Sequence, residues 1–291
     1  MAIIDNPVAV GSGGGGTDTL VAMLESRTSL IHALAYSSIT SCPTFTVNNS
    51  VISFAGMFSG CPNLTTVSSL DTSNGTDFST MFSNCAALTT APSLNTSSGT
   101  NFSNMFSGCS VLTTVPLLDT SNGTNFSSMF ASCSVLTTVP SLVTSKGTNF
   151  STMFQNCRVL TTVPSLNTSS GTNFSSMFNG CSVLTTVPSL VTSKGTNFSS
   201  MFNSCTGLTT VPQLSLVKAT GGTSLQNMFS KCTSLSSTSL NNILASLATW
   251  GGSASNSKNL KYIGLTSAQA TTCTGLSNWA TLSAAGWTTG Y

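Results

Sequence analysis

Charge is the first thing that this 291-residue sequence lacks. Only 5% of its residues are Asp, Glu, Lys or Arg, against about 25% in an average soluble domain. The net charge of +2 gives no basic surface for nucleic acid or for an anionic membrane, so neither is expected as a partner. The apolar fraction of 40% nevertheless predicts a packed core, with Ser, Thr and Asn supplying the polar surface.

Long hydrophobic runs are also missing. The sequence has no uninterrupted apolar stretch of about 18 residues, so no membrane-spanning helix is predicted. The opening stretch, MAIIDNPVAVGSGGGGTD, lacks the basic start and the long apolar segment that are typical of a secretory signal peptide. We therefore expect the chain to fold in a cytoplasm, which suits a virus particle that leaves its host by lysis.

Residues that support catalysis are scarce. His32 is the single histidine, and without a repeated acid or nucleophile it predicts no triad and no acid–base pair. The ten cysteines include no Cys-x-x-Cys pair, so we expect buried core thiols rather than a metal site or disulfides. The run GSGGGG at 11–16 fits G-x-G-x-x-G but opens no βαβ unit, so it is interpreted as a flexible arm. No enzyme activity, cofactor or metal is predicted.

Repetition is what the sequence has in abundance. Met-Phe pairs begin every 24 residues from Met57 to Met201 and once more at Met228, and a cysteine follows each pair in the same register. The unit reads G-T-N-F-S-x-M-F-x-x-C-x-x-L-T-T-V-P-x-L-x-T-S-x. A period of this length predicts a solenoid of about eight stacked coils, each burying the same apolar positions.

Each unit predicts the same local structure. The stretch LTTVP is rich in β-branched residues and ends in proline, which favours a short parallel strand. The apolar spacing of N-F-S-S-M-F-x-x-C favours a helical or 3₁₀ turn. The glycine that begins each unit, Gly99 for example, is interpreted as a corner that needs a positive φ. The asparagine two residues later, such as Asn101, is interpreted as an internal ladder whose amides bond successive backbones.

The unit resembles a known class, the BspA-type (Treponema/Mycoplasma-lipoprotein-like) leucine-rich repeat. Its segment T-S-x-G-T-N-F-S-S-M-F-x-x-C is close to T-S-N-V-T-N-M-S-x-M-F-x-x-C of that family, and the resemblance covers about residues 37–237. It implies a right-handed α/β or 3₁₀/β solenoid, found on bacterial surfaces or in phage particles and acting in adhesion or recognition. The resemblance supplies no catalytic residues.

Four segments are predicted: a flexible Gly-rich arm (1–17), an N-terminal cap with a degenerate first coil (18–53), the leucine-rich-repeat solenoid (54–237) and a C-terminal helical cap (238–291). In the first cap, ITSCPTF aligns with LTTVPSL and places Cys42 at the valine position, after a helix with Thr17 or Asp18 as its N-cap. In the second cap, SLNNILASLATW, TSAQATTC and LSNWATLSAAG predict three helices, with GGSASNSKN as a loop. Both caps cover open ends of the core.

Variation between repeats is the remaining guide to function. It falls mainly on the two residues between Met-Phe and Cys and on the residue before the glycine. The candidate recognition positions are Asn84, Ser132, Lys146, Gln155, Asn156, Arg158, Asn179, Lys194 and Asn203. We predict a non-enzymatic bacteriophage virion surface protein, a tail-associated adhesin or a capsid decoration. Its arm would bind other virion proteins and its coils a host glycan or protein, with a homo-oligomer left open. The alternative is a BspA-like adhesin on a bacterial cell surface.

Overall fold

The computed structural model describes residues 16–221, 223–250 and 258–291. Its regular elements are α1 (Gly16–Glu25), β1 (Ser41–Cys42), β2 (Thr66–Val67), α2 (Ser237–Ala248), α3 (Ser267–Thr274) and α4 (Trp279–Ala284). Nearly all of the predicted arm (1–17) and most of the predicted loop GGSASNSKN lie outside the described residues. Between β2 and α2 the chain repeats every 24 residues, with a last interval of 27, through turns and isolated bridges. We number the coils by their Met-Phe pairs, from Met57 in coil 1 to Met228 in coil 8.

Two sets of backbone hydrogen bonds hold the segment from the first phenylalanine to the cysteine of each coil. In coil 3, the N–H groups of Phe102 and Phe106 donate to the carbonyls of Asn125 and Met129, one coil further on, both at 2.9 Å. The N–H of Met105 between them turns back to the carbonyl of Phe102, at 3.2 Å. This i to i−3 bond closes a β-turn whose third residue, Asn104, has a positive φ of 56°, so the segment is a series of β-turns and not the helical or 3₁₀ turn predicted. The turn does not continue as a helix because alternate N–H groups bond to the neighbouring coil.

Two residues of each coil adopt the left-handed backbone conformation, four positions apart. In coil 3 they are Asn104 (φ 56°) and Gly108 (φ 77°), whose N–H groups donate to the next coil at 2.8 and 2.7 Å. In coils 1, 2 and 4 to 7 the equivalent residues are Gly56, Gly60, Thr80, Asn84, Ser128, Ser132, Thr152, Asn156, Ser176, Gly180, Ser200 and Ser204. The left-handed region disfavours most side chains. The sequence at these positions is therefore limited by the backbone.

The glycine that begins each unit does not have the positive φ predicted for it, so that prediction is wrong. The requirement for glycine at Gly123 is steric. A Cβ atom there would lie 2.4 Å from Cζ of Phe126 and 3.0 Å from the carbonyl oxygen of Thr120. Glycine is needed because the backbone runs directly against a phenylalanine ring of its own coil.

Strand pairing at LTTVP is shorter than predicted. β1 and β2 pair in parallel over two residues, and further along the described solenoid single bridges join Thr90 to Thr114 and Thr186 to Thr210. Proline follows the valine and has no N–H to donate, which limits this ladder. The longest unbroken ladder lies instead at the G-T-N-F corner, where parallel bridges link residues 53, 77, 101, 125, 149, 173 and 197.

The asparagines of that ladder use their side-chain oxygens within their own coil. Oδ1 of Asn101 accepts the N–H of Ser103 at 3.2 Å, which closes a local turn instead of reaching the next backbone as predicted. The bond between coils comes from the neighbouring threonine. The N–H and Oγ1 of Thr100 both donate to the carbonyl of Thr76, at 2.8 and 3.1 Å.

A second ladder consists of buried threonine hydroxyls. Its members, each at most 2% exposed, are Thr72, Thr96, Thr120, Thr144, Thr168 and Thr192. Every Oγ1 donates to a carbonyl of the next coil at 2.8–2.9 Å. The hydroxyls of Thr120 and Thr192 also accept backbone N–H groups, from Val143 at 2.9 Å and Ser215 at 2.7 Å. The hydroxyls thus supply hydrogen bonds where the coils have few backbone pairs.

Two columns of stacked phenylalanine rings fill the interior. One runs from Phe54 to Phe198 and the other from Phe58 to Phe229, with successive centroids 5.3–5.8 Å apart and ring planes within 14°. The methionine and cysteine of each coil are buried beside them. Such ring pairs contribute about 0.5–1.5 kcal/mol each beyond burial. Stacking therefore requires the same residue in every coil.

The N-terminal end is closed by an additional coil. Leu30 and Leu34 lie one repeat before the first two stacked phenylalanines, and the N–H of Leu34 donates to the carbonyl of Met57 at 2.9 Å. Cys42 pairs with Val67, which confirms the register predicted for the degenerate coil.

Helix α1 covers this additional coil with buried leucines, including Leu24 at 1% exposure. It begins at Gly16, so Thr17 and Asp18 lie in its first turn and neither is its N-cap.

The C-terminal end is closed by α2, whose hydroxyl groups replace a further coil. Oγ of Ser239 accepts the N–H of Val211 at 2.9 Å, and Oγ of Ser246 accepts the N–H of Leu214 at 2.8 Å. Helices α3 and α4 pack against α2, so the three predicted helices are confirmed. The result is the capped α/β solenoid that the repeats predict, while the exact segment bounds stay a prediction.

Candidate recognition surfaces

The buried polar groups of the solenoid are used in its own hydrogen bonds. Among the described residues, every buried side-chain nitrogen and oxygen has a hydrogen-bond partner. In the same part of the chain, no group of three or more His, Cys, Asp or Glu residues is placed to hold a metal ion. Candidate sites must therefore be sought on the surface.

The ten cysteines are free and buried, which confirms their predicted role in the core. The thiol of Cys109 donates to the carbonyl of Phe82 at 3.0 Å, and burial raises its pKa to about 12. The other ladder thiols make the same bond, and their pKa values are raised by the same burial. Such thiols stay protonated near neutral pH, and protonated thiols are poor nucleophiles and metal ligands.

His32 lies on the surface of the additional N-terminal coil, at a left-handed position (φ 50°). Its ring covers Gly56, where a Cβ atom would lie 2.0 Å from Cδ2 of the imidazole. The histidine therefore packs on backbone of the next coil, consistent with its interpretation as a residue of the cap.

The turn face is the surface formed by the two residues between Met-Phe and Cys in coils 1 to 7, from residues 59–60 to 203–204. Six of the nine candidate positions lie on it: Asn84, Ser132, Gln155, Asn156, Asn179 and Asn203. The second residue of each pair is left-handed. This second position varies among Gly, Asn and Ser along the rod, and it includes the candidates Asn84, Ser132 and Asn156. Its variation therefore has a conformational explanation that involves no ligand.

The first residue of each pair is free of that constraint, and it changes along the rod. It is serine or alanine in coils 1 to 4 and an amide in coils 5 to 7, namely Gln155, Asn179 and Asn203. These three side chains are half-buried and stack on consecutive coils, which are about 4.8 Å apart. Together they form a column of groups that both donate and accept hydrogen bonds.

The corner edge is the surface formed, in coils 1 to 6, by the T-S-x-G corner and the three residues before its threonine, and in coil 7 by the equivalent residues 213–219. Two candidate positions, Lys146 and Lys194, are exposed on it, two coils apart. Nζ of Lys146 donates to Oδ1 of Asn122 at 2.7 Å.

Two carboxylates that the sequence pattern did not single out lie on the same edge. Asp71 and Asp119 are exposed and two coils apart, and each accepts the N–H of the serine two residues on, at 3.0 Å. The hydrogen bonds from Ser73 and Ser121 lower the pKa of these carboxyls.

Apolar side chains lie at the middle of the corner edge. Leu117 is 75% exposed and Val143 is 52% exposed, and both line an open groove together with Leu118 and Asp119. A leucine this exposed is unusual in a surface otherwise made of Ser, Thr and Asn. The corner edge thus combines carboxylates, apolar groups and ammonium groups.

Arg158, the ninth candidate, belongs to neither surface. It is exposed beside a column of half-exposed valines at residues 111, 135, 159 and 183, and its carbonyl accepts the hydroxyl of Ser182 at 3.1 Å. The structure therefore does not bring all nine candidates together.

No helix in the described part of the chain combines the length and the apolar character needed to cross a membrane. A family model described as "Mycoplasma protein of unknown function, DUF285" matches the chain over residues 44–141, 91–188 and 124–243, which together cover more than half of it. No curated protein matches the chain.

Three solved structures resemble the chain. A leucine rich cell surface protein from Faecalibacterium prausnitzii is 21% identical (TM-score 0.40), with 71% of this chain and 64% of that one covered. The T. pallidum leucine rich repeat protein is 15% identical (TM-score 0.40; 76% and 87% covered). A leucine-rich repeat protein from Bacteroides ovatus is 18% identical (TM-score 0.36; 70% and 66% covered). The chain spans slightly less than two thirds of the length of the first and third proteins.

Proposed function

The chain belongs to the DUF285 family, and we propose that its solenoid is a non-catalytic recognition module at a bacterial cell surface. Its ligand is a neutral glycan or a neutral polar protein surface, bound on the turn face. The observation that carries this proposal is the column of Gln155, Asn179 and Asn203. These residues differ from their equivalents in coils 1 to 4 although the backbone does not require them to.

An amide column suits a hydroxyl-rich ligand. Each amide offers two N–H donors and one carbonyl acceptor, and a sugar hydroxyl both donates and accepts. Because the side chains stand on a rigid stack, little conformational freedom is lost on binding. Binding through neutral groups should depend weakly on ionic strength, unlike binding through charge.

Support for the location comes from the family. Its description names a bacterium, Mycoplasma, and none of the proteins reported above comes from a bacteriophage. The virion location predicted from the sequence has no such support, so the proposal follows the alternative, a bacterial adhesin. Labelling of intact cells with an antibody to the solenoid, before and after surface proteolysis, tests it. Signal that requires cell lysis, or that is confined to purified phage particles, contradicts the surface location.

The binding role is tested with a matched pair of triple variants. Gln155→Ala/Asn179→Ala/Asn203→Ala removes the amide column, and Ser59→Ala/Ser83→Ala/Ser107→Ala removes the equivalent side chains of coils 1 to 3. Both sets leave the backbone bonds of the turn face in place. Retention on a glycan array and on isolated bacterial envelopes should fall at least tenfold for the amide variant alone, at an unchanged melting temperature. Equal retention of both variants refutes the assignment.

A further inference from the structure

The few charges of this chain are separated along its length. All six acids lie within residues 1–119, and seven of the eight bases lie at residue 146 or beyond, Arg27 being the exception. The formal charge is therefore −5 over residues 1–145 and +7 over residues 146–291, which together give the net +2. Because successive coils stack in chain order, the described acids from Glu25 to Asp119 lie towards the N-terminal end of the rod, and the bases from Lys146 onward lie towards its C-terminal end.

The corner edge shows this separation most regularly. Its exposed carboxylates, Asp71 and Asp119, belong to coils 1 and 3, and its exposed ammonium groups, Lys146 and Lys194, belong to coils 4 and 6. Both pairs are thus two coils apart, about 10 Å at the usual strand spacing. Equal spacing of opposite charges is the pattern expected of a surface that is complementary to itself.

We propose that two copies of the chain associate antiparallel through their corner edges, about a two-fold axis between coils 3 and 4. That axis sets coil 3 against coil 4 and coil 1 against coil 6 of the second copy. Each residue then lies opposite its own repeat equivalent, so Asp119 lies opposite Val143 and Lys146 opposite Asn122. The long lysine side chain spans the three-residue offset, so Lys146 pairs with Asp119 and Lys194 with Asp71. The symmetry repeats both contacts, which gives four ion pairs. Leu117 lies opposite Ser141 and two residues from Val143 of the other copy, so the exposed apolar groups lie beside each other at the centre.

The remaining coils fit the same arrangement without conflict. Coils 2 and 5 face each other with neutral residues, among them Asn95 and Asn167. Lys218 of coil 7 faces the additional N-terminal coil, where the equivalent position is Ser50. No like charges of the corner edge are brought together.

A parallel arrangement, staggered by three coils, is less favourable. It pairs Asp71 with Lys146 and Asp119 with Lys194 once each, and it sets Lys146 against coil 7, which itself carries Lys218. The staggered contact also does not close, so it produces filaments. The antiparallel pair makes twice as many ion pairs, no repulsive contact and a closed dimer. The turn face is a separate surface, so each dimer presents two copies of it to a ligand.

The carboxylates are held ready for this contact. The backbone N–H groups of Ser73 and Ser121 fix one oxygen of Asp71 and of Asp119, which leaves the other oxygen for the partner. Exposed ion pairs are individually weak and are screened by salt. We therefore expect a dimer whose stability depends on its four pairs acting together, and which dissociates as salt is raised.

The test uses two variants of the full chain with opposite charge changes. Asp71→Lys/Asp119→Lys makes the edge basic, and Lys146→Asp/Lys194→Asp makes it acidic. Sedimentation equilibrium at low salt should show a wild-type dimer and at least a tenfold weaker self-association of each variant. A mixture of the two variants should form a heterodimer, because each edge is then complementary to the other.

A milder variant controls for folding. Asp71→Asn/Asp119→Asn removes charge but retains the turn bond, as Asn95 and Asn167 do in their coils, and it should weaken the dimer less than the lysine variant. Melting temperatures show that each variant folds. A wild-type monomer at low salt, filaments, or a variant mixture that does not associate overturns the proposal. The result is independent of glycan binding by the turn face.

Discussion

The buried threonine ladder offers the sharpest test of what holds the coils together. Valine has nearly the shape of threonine but no hydroxyl, so Thr120→Val removes the hydrogen bonds with little change in packing. The hydroxyl of Thr120 donates to the carbonyl of Val143 and accepts its N–H, both at 2.9 Å. The hydroxyl of Thr144 donates to the carbonyl of Asn167 alone. The two substitutions therefore differ in the number of backbone groups that lose a partner.

The magnitude follows from that number. A buried backbone group left without a partner costs about 1–3 kcal/mol. Thr144→Val should lower the free energy of unfolding by about 1–2 kcal/mol, and Thr120→Val by about 2–4 kcal/mol. Thr113→Val is the matched control, since its exposed hydroxyl donates to the carbonyl of Thr89 and water replaces that bond. It should cost about 0.5 kcal/mol or less.

Urea unfolding measures these differences. The transition is followed by far-UV circular dichroism and by tryptophan fluorescence, which reports on the C-terminal cap through the buried Trp287. Coincident transitions justify a two-state free energy. Equal losses for Thr120→Val and Thr144→Val, or a loss for Thr113→Val as large as either, would refute the argument that the buried hydroxyls replace backbone pairing.

Three further outcomes follow from the structure. Gly123→Ala places a Cβ atom against the Phe126 ring and should lower the free energy of unfolding by about 1–3 kcal/mol. Phe126→Leu in the same chain should relieve part of this loss. If urea unfolding shows that the losses of the two substitutions simply add, the steric explanation is contradicted. Gly180→Val, at φ 79°, should lower stability by about 1–2 kcal/mol. Gly180→Asn should lower the melting temperature less, because Asn tolerates a positive φ and the Asn156 side chain, whose Oδ1 lies 2.5 Å from the added Cβ position, can move aside. Burial raises the pKa of Cys109 to about 12. The free energy of unfolding is therefore unaffected by this thiol below its ordinary pKa, near 9, and decreases as the pH rises from there towards 12. The fall is about 1.4 kcal/mol per pH unit for each such thiol, and Cys109→Ala should reduce that slope in urea midpoints measured up to pH 10.5.

The architecture was predictable because stacking imposes the same requirement on every coil. A ring column that must continue from Phe54 to Phe198 needs phenylalanine at each step, and this need is visible as a period in the sequence. The register of Cys42 against Val67 followed from the same alignment. The three helices of the C-terminal cap were also predicted, from SLNNILASLATW, TSAQATTC and LSNWATLSAAG.

The physical reason for an individual residue was harder to predict from the sequence than the architecture. A period shows that Gly123 is required, but positive φ and steric contact both select glycine, and only the position of the Phe126 ring separates them. The left-handed positions carried only a partial signal, since Gly and Asn tolerate φ near 60° but the serines and the β-branched Thr80 and Thr152 found there do not. The threonine ladder carried one as well. Thr120 and its equivalents stay threonine while their neighbours change among Asp, Asn and Val, which indicates a buried hydroxyl.

These backbone constraints differ between the turn face and the corner edge, so the two surfaces are not equally free to vary for binding specificity. On the turn face, half of the variation is limited by the backbone, so the choice at Asn156 is among Gly, Asn and Ser. On the corner edge the residue before the buried threonine has no such limit, and it includes aspartate at Asp119 and valine at Val143. The net charge of +2 does not show this variation, because it is the sum of −5 over residues 1–145 and +7 over residues 146–291. Selection for a partner therefore acts most freely on the corner edge and on the amide column that contains Asn179.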